Sequence, residues 1–338
     1  MSPYSSKEDL AKLGNAHPEF IQYLTNSNNV AHPAIKLPFS TLVEMVRQNP
    51  THRSTPTQVS SFVEIPMRDG YKSNIRVYQP MSSAPVGLFV LLHGGGFCLG
   101  DNANMGLDSQ ALASLHGITV VSISYRLAPE NKFPKAPNDV WDTLVWLTTA
   151  VNAQSIGIQL SERFFIGGIS AGANLAAVTA QQWVTRARQP LMSGIWLSMP
   201  MLLDAAIVPE RFKEVWISRE QNAEAMILGK TALEFIKTAY SPDVLSADYS
   251  PFNVDDAHKG LPPVYFQICG QDPLRDDGLI YEKVLRENDV RTKVDIYAGV
   301  PHGFADVFKD FIQCEKWKSD IWKGIAWLME QGRAEHRQ

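Results

Sequence analysis

Six mainly apolar runs, most of them separated by stretches of helical periodicity, constrain the fold of this chain more than any other feature. They occupy residues 86–92, 118–123, 164–166, 195–199, 264–268 and 294–297. Short runs without alternation suit strands buried on both faces, the usual condition of a parallel sheet. Between them, 137–151 sets Val140, Trp141, Leu144, Val145 and Leu147 at helical spacing, and 171–186, 277–287 and 312–329 are also periodic. Strands alternating with helices predict an α/β fold with a mostly parallel sheet covered on both faces. Ahead of these runs, 59–66 and the alternating 74–78 flank a turn at Arg68-Asp69-Gly70. That pair reads as an antiparallel hairpin, which makes the sheet mixed.

Two segments stand outside the alternation. Residues 1–55 read as short helices broken at His17-Pro18 and His32-Pro33. Thr41-Leu42-Val43-Glu44 fits a capping box opening a helix through Gln48, stopped by Asn49-Pro50. This segment buries little apolar surface alone and is expected to pack on something else. The second interval, about fifty residues between Pro200 and Pro251, holds helix-like pieces at 207–217 and 231–240 but no strand. An insertion after a central strand belongs at the carboxyl ends of the strands, where α/β ligand sites lie. The expected division is therefore N-terminal cap helices (1–55), a core (56–200), a cap insertion (201–250) and the rest of the core (251–338).

Composition excludes several function classes. With 45% hydrophobic and 20% charged residues, the chain can build a large core and is not disordered. Lys and Arg total 31 against 35 Asp and Glu, a net charge of −4 with no basic block, so nucleic acid and anionic membrane are not expected partners. No apolar run approaches the roughly 18 residues of a membrane span. Neither end carries a targeting pattern, and a cytoplasmic location is expected. Cys98, Cys269 and Cys314 show no CxxC spacing and do not form a disulfide framework or zinc site; Cys98 and Cys269, beside apolar runs, read as buried thiols. The eight His include no HExxH, so no metal is expected.

The chemistry lies at four places. Gly168-Ile169-Ser170-Ala171-Gly172 matches GxSxG, follows an apolar strand and opens an Ala-rich helix. That strand–turn–helix is the setting of a nucleophile elbow, with the serine in a strained turn. Upstream, His93-Gly94-Gly95-Gly96-Phe97 ends the first long apolar run. Its glycines leave backbone N–H groups unshielded, as an oxyanion hole needs, and the Ala171 N–H adds a further donor. His93 reads as a structural hydrogen-bonding residue at the strand end rather than a base. The base is expected late, and His302 in Pro301-His302-Gly303-Phe304 follows the last strand. The acid is expected after the preceding strand, where Gly270-Gln271-Asp272-Pro273 points to Asp272. Asp276 and Asp277 are rivals, placed further into a helix start where acidic residues serve the helix dipole.

With these pieces in order, the chain resembles the hormone-sensitive lipase family of α/β-hydrolases from about residue 60 to the end. Beside HGGGF and GISAGANLAA, the resemblance includes Ser124-Tyr125-Arg126-Leu127-Ala128-Pro129-Glu130, Phe133-Pro134 and Asp272-Pro273-Leu274-Arg275-Asp276-Asp277-Gly278. It implies an α/β-hydrolase fold with an eight-stranded sheet and a helical cap, no cofactor, and catalytic roles for Ser170, Asp272 and His302. Gly95 and Gly96 would be the main oxyanion donors beside Ala171, with Gly94 in the same loop. The elbow departs from the family in carrying Ile169 and Ala173 where a polar residue and a second glycine are frequent.

The expected function is hydrolysis of small to medium carboxylic esters through an acyl-enzyme on Ser170, by a monomer or homodimer acting on a small molecule. A thioesterase, amidase or acyltransferase would use the same three residues. A ligand receptor on this scaffold would lack His302, and a dehydratase-like relative would carry Thr for Ser170. Within the cap, Met201, Phe212, Trp216, Met226, Phe235 and Tyr240 are expected mainly as cap core, some of them facing Ser170.

Overall fold

The computed structural model describes residues 6–26, 33–48, 61–81, 84–103, 105–159 and 163–335. Four helices precede the sheet: α1 (Lys7–Leu13), α2 (Pro18–Asn26), α3 (Pro33–Lys36) and α4 (Phe39–Gln48). Ser6 caps α1 by accepting the Asp9 N–H at 3.1 Å. Helix α2 opens at Pro18, where the missing N–H costs nothing. Helix α4 starts two residues ahead of the predicted Thr41, because the Pro38 carbonyl already accepts the Leu42 N–H at 3.2 Å. Its predicted stop, Asn49-Pro50, and the first two residues of the predicted first strand, Val59 and Ser60, lie outside the described residues.

The core follows as β1 (Ser61–Pro66), β2 (Lys72–Tyr78), β3 (Leu88–Leu92), α5 (Ser109–His116), β4 (Thr119–Ile123), α6 (Lys135–Leu147), α7 (Ala150–Ser155), β5 (Phe164–Ile169), α8 (Ala171–Thr185) and β6 (Gly194–Ser198). After an insertion holding α9 (Ser218–Gln221) and α10 (Lys230–Tyr240), it resumes with β7 (Val264–Gln271), α11 (Arg275–Glu287), β8 (Thr292–Pro301), α12 (Phe304–Val307) and α13 (Ile312–Glu335). The eight strands lie in the order β1-β2-β4-β3-β5-β6-β7-β8. Strand β2 pairs antiparallel with β1 and β4, and the other pairings are parallel.

Alternation along the strands feeds two separate layers. Val90, Ile166, Leu197 and Phe266 pack against Leu144 of α6, Trp183 of α8 and Leu285 of α11. Phe89, Phe165, Trp196 and Tyr265 face Leu112 of α5 and Ile325 of α13. Each such side chain taken from water contributes about 1.5–3 kcal/mol, which explains why the strands read as mainly apolar runs.

Four readings need correction. Residues 207–217 are not a helix: Pro209 admits only the 3-10 turn Glu210–Phe212, and the Ile217 N–H is taken by Asp276 at 2.7 Å. The predicted helix 137–151 is two helices, broken where Thr148 and Thr149 Oγ1 donate back to Leu144 O and Val145 O, each at 2.8 Å. Helix α5 was not anticipated, since its eight residues bury only a short stripe; Asp108 caps it and Gly117 ends it at φ 62°. Strand β8 extends well beyond 294–297: at the sheet edge its first five residues are half-buried, and polar Thr292, Lys293 and Asp295 stand among the apolar ones.

Candidate active site

The loops leaving β3, β5, β7 and β8 at their carboxyl ends converge. Ser170 sits between β5 and α8 at φ 56°, ψ −116°, a strained conformation at the tip of the turn, and is buried. The Ser170 N–H donates to Ser198 O at 2.8 Å, which ties the turn to β6. Close approach dictates the flanking glycines. A Cβ at Gly168 would lie 2.5 Å from the Gly172 carbonyl, and one at Gly172 would strike the Leu92 and His93 carbonyls.

Asp272 follows β7 and His302 follows β8, both buried. The His302 imidazole lies between its partners, with Nδ1 2.6 Å from Asp272 Oδ2 and Nε2 3.0 Å from Ser170 Oγ. Asp272 Oδ1 also accepts the Leu274 N–H at 2.8 Å, which fixes its carboxylate plane. One acidic oxygen therefore orients the ring, and the other nitrogen faces the serine. That line can pass the serine proton to the imidazole and stabilise the resulting cation.

The glycine loop curls beside the serine. Gly95 and Gly96 have φ 115° and 59°, and the Gly95 carbonyl accepts from Cys98 and Leu99 N–H at 3.0 and 2.9 Å. Among the described residues, none accepts a hydrogen bond from the N–H of Gly94, Gly95, Gly96 or Ala171. His93 anchors the loop from beneath. Its Nδ1 lies 2.8 Å from Gly94 O, its ring stacks on Tyr125 at 4.2 Å, and the Tyr125 hydroxyl donates to His93 O at 2.9 Å. Burial pushes His93 down to about 4, so its ring is neutral and Nδ1 carries the proton. Ile169, unusual for the resembled family, packs its side chain toward Gly106, in the loop that continues from the glycines.

Asp276 and Asp277 do not join this line. Asp276 accepts the N–H groups of Ile217 and Ser218 at 2.7 and 2.6 Å. Asp277 accepts Leu202 and Leu203 N–H at 3.0 Å each, Trp216 Nε1 at 2.9 Å and Arg219 Nη2 at 2.7 Å. Both stand in the first turn of α11, the expected place for acidic residues, and their carboxylates also tie residues 202–219 to that helix. Asn222, which sequence reasoning missed, donates to Asp272 O at 3.0 Å. It lies in an irregular stretch where no periodicity marks it.

A cavity of about 600 Å³ opens beneath α10, lined by Phe97, Met201, Trp216, Ile236, Tyr240 and Tyr249 among others, and by none of Ser170, Asp272 or His302. Its wall reaches the glycine loop, since a Cβ at Gly96 would lie 2.5 Å from Ile236 Cδ1. Met201, Trp216 and Tyr240 are thus lining. Phe212 is instead buried with Leu203 and Val208, Met226 packs against the α13 layer, and Phe235 stacks edge-on with Phe39 of α4 at 5.9 Å. Among the described residues, no helix is long and apolar enough to cross a membrane.

A mixed, mostly parallel eight-stranded sheet with a serine on a strained strand–helix turn defines an α/β-hydrolase. A family model described as the alpha/beta hydrolase fold matches residues 89–306. The carboxylesterase NlhH of Mycobacterium tuberculosis is 31% identical over 284 residues, covering 78% of this chain and 82% of that protein. An esterase of Pyrobaculum calidifontis has a similar structure, with TM-score 0.73, 30% identity, and coverage of 90% of this chain and 96% of that one. The vibralactone cyclase structure superposes with TM-score 0.79 at 27% identity, covering 95% and 97%. The chain belongs to the hormone-sensitive lipase family of α/β-hydrolases. It is a carboxylic ester hydrolase with a small-molecule ester as substrate.

Proposed function

We propose that the protein hydrolyses small to medium esters with Ser170 as nucleophile, His302 as general base and then acid, and Asp272 as the orienting carboxylate. The observation that carries this reading is the continuous hydrogen-bonded line from Asp272 through His302 to Ser170 Oγ. As Ser170 attacks the ester carbonyl, His302 Nε2 takes its proton. The oxyanion rests on the Gly95, Gly96 and Ala171 amides, with Gly94 in the same loop. Protonation of the departing alcohol by His302 leaves the acyl-enzyme, which water then cleaves by the same route in reverse.

In this reading residues 1–55 and 201–250 form the cap, and 56–200 with 251–338 the core. The apolar cavity beneath α10 favours esters with a hydrocarbon or ring portion over acetates alone. The enzyme acts in the cytoplasm as a monomer or homodimer. Its three free, buried thiols suit a reducing compartment, and cell fractionation with light scattering tests both points. Hydrolysis of p-nitrophenyl esters from acetate to decanoate, with Ser170→Ala in parallel, tests the whole. Serine-dependent turnover at short to medium chains is expected; turnover that survives Ser170→Ala refutes the assignment.

A further inference from the structure

The two strand ends that deliver Asp272 and His302 are gripped from outside the core. After Cys269 pairs with Tyr297, the next partners are Gln271 and Pro301, so β7 advances two residues while β8 advances four. The resulting bulge sits immediately before the acid and the base. The segment between α1 and α2 lies on it. The His17 N–H donates to Gly299 O at 3.0 Å, and Gly299 itself stands at φ 69°. A Cβ at Gly299 would strike Asn15 O and His17 N, and one at Gly270 would strike Leu13 O.

The grip continues on both sides. Beyond His302, Phe20 of α2 meets Phe308 and Phe311 at 5.0 and 5.2 Å between ring centroids. From the insertion, Asn222 Nδ2 donates to Asp272 O at 3.0 Å and to Gly270 O at 3.3 Å. Gln221 bridges the two pieces: its Nε2 donates to Ala11 O at 2.7 Å, and its Oε1 accepts from Arg275 Nη1 at 2.8 Å. Ser170 is placed by β5, β6 and α8 and takes no part in these contacts.

We infer that residues 13–17 and Asn222 form a positioning clamp that sets the Asp272–His302 pair against an independently placed serine. The clamp rests on the triad assignment made above. It assigns the N-terminal segment to proton transfer rather than to substrate binding. A loosened clamp therefore lowers kcat and leaves KM nearly unchanged, because displacing a catalytic group by about 1 Å costs up to ~10²-fold in rate.

The test compares Asn222→Ala, Asn222→Asp and Gly299→Ala in the full chain, with active serines counted by a fluorophosphonate probe and folding checked by circular dichroism. Asn222→Asp keeps the shape but sets a carboxylate against two carbonyls, so mere space-filling survives it and the clamp does not. Each variant is expected to lose about tenfold or more in kcat per titrated serine, with KM within about twofold. Unchanged kcat in both Asn222 variants overturns the clamp, whether or not Gly299→Ala folds, and leaves the esterase reading intact if Ser170→Ala is inactive. Full turnover by Ser170→Ala overturns the triad assignment and the clamp with it.

Discussion

At the residue scale, the geometry of the Ser170 turn is legible because backbone constraints leave few alternatives. Only glycine fits where α8 passes under the His93 carbonyl, and a GxSxG between a strand and a helix therefore implies the whole elbow. Gly172→Ala should unfold the turn or cost several kcal/mol; a variant with native melting temperature and activity contradicts that packing. His93 makes a sharper prediction. Its ring stays neutral in the fold down to about 4, whereas the unfolded chain protonates it near 6.5. Between those values the unfolded state binds the extra proton, so stability falls as pH drops through the window and is flat above it. The loss from this residue is about 3 kcal/mol. Urea titrations at pH 4.5 and 7 should show a larger drop for the wild type than for His93→Gln. What could not be read at this scale was Asn222, whose side chain meets two carbonyls brought to it by the fold.

At the element scale, the strands were legible and the cap was not. Mainly apolar runs reveal strands buried on both faces, but the edge strand β8 mixes polar Thr292, Lys293 and Asp295 into its half-buried first half. The cap follows tertiary demands instead of periodicity. Residues 207–217 look helical, yet their geometry is set by carboxylates of α11, which take the Ile217 and Ser218 N–H groups and the Trp216 indole. Asp277 is the strongest of these anchors, pairing with Arg219 while holding the Leu202 and Leu203 N–H groups. Asp277→Ala takes the acceptor from the Leu202 and Leu203 N–H groups and the Trp216 indole and removes the counter-charge of Arg219, which keeps only its Leu203 carbonyl; it should cost about 3–5 kcal/mol. A loss under 1 kcal/mol in denaturant unfolding would mean that the cap is held by packing alone.

At the scale of the whole molecule, the proposed function has the α/β core deliver the reactive groups and the cap shape what reaches them. Ile236 of α10 lines the cavity and lies against Gly96 of the glycine loop, so under the proposed function it limits ester size. Ile236→Ala should move the preferred p-nitrophenyl ester toward longer acyl chains, raising kcat/KM for decanoate relative to butyrate; an unchanged profile would separate the cavity from the substrate path. The most direct test of the central claim is to react the protein with a fluorophosphonate, locate the adduct by peptide mass spectrometry, and measure ester turnover of Ser170→Ala beside it. The account predicts one adduct per chain on Ser170 and a fall in turnover of about 10⁴-fold or more. An adduct elsewhere, or turnover that persists without the Ser170 hydroxyl, would contradict it.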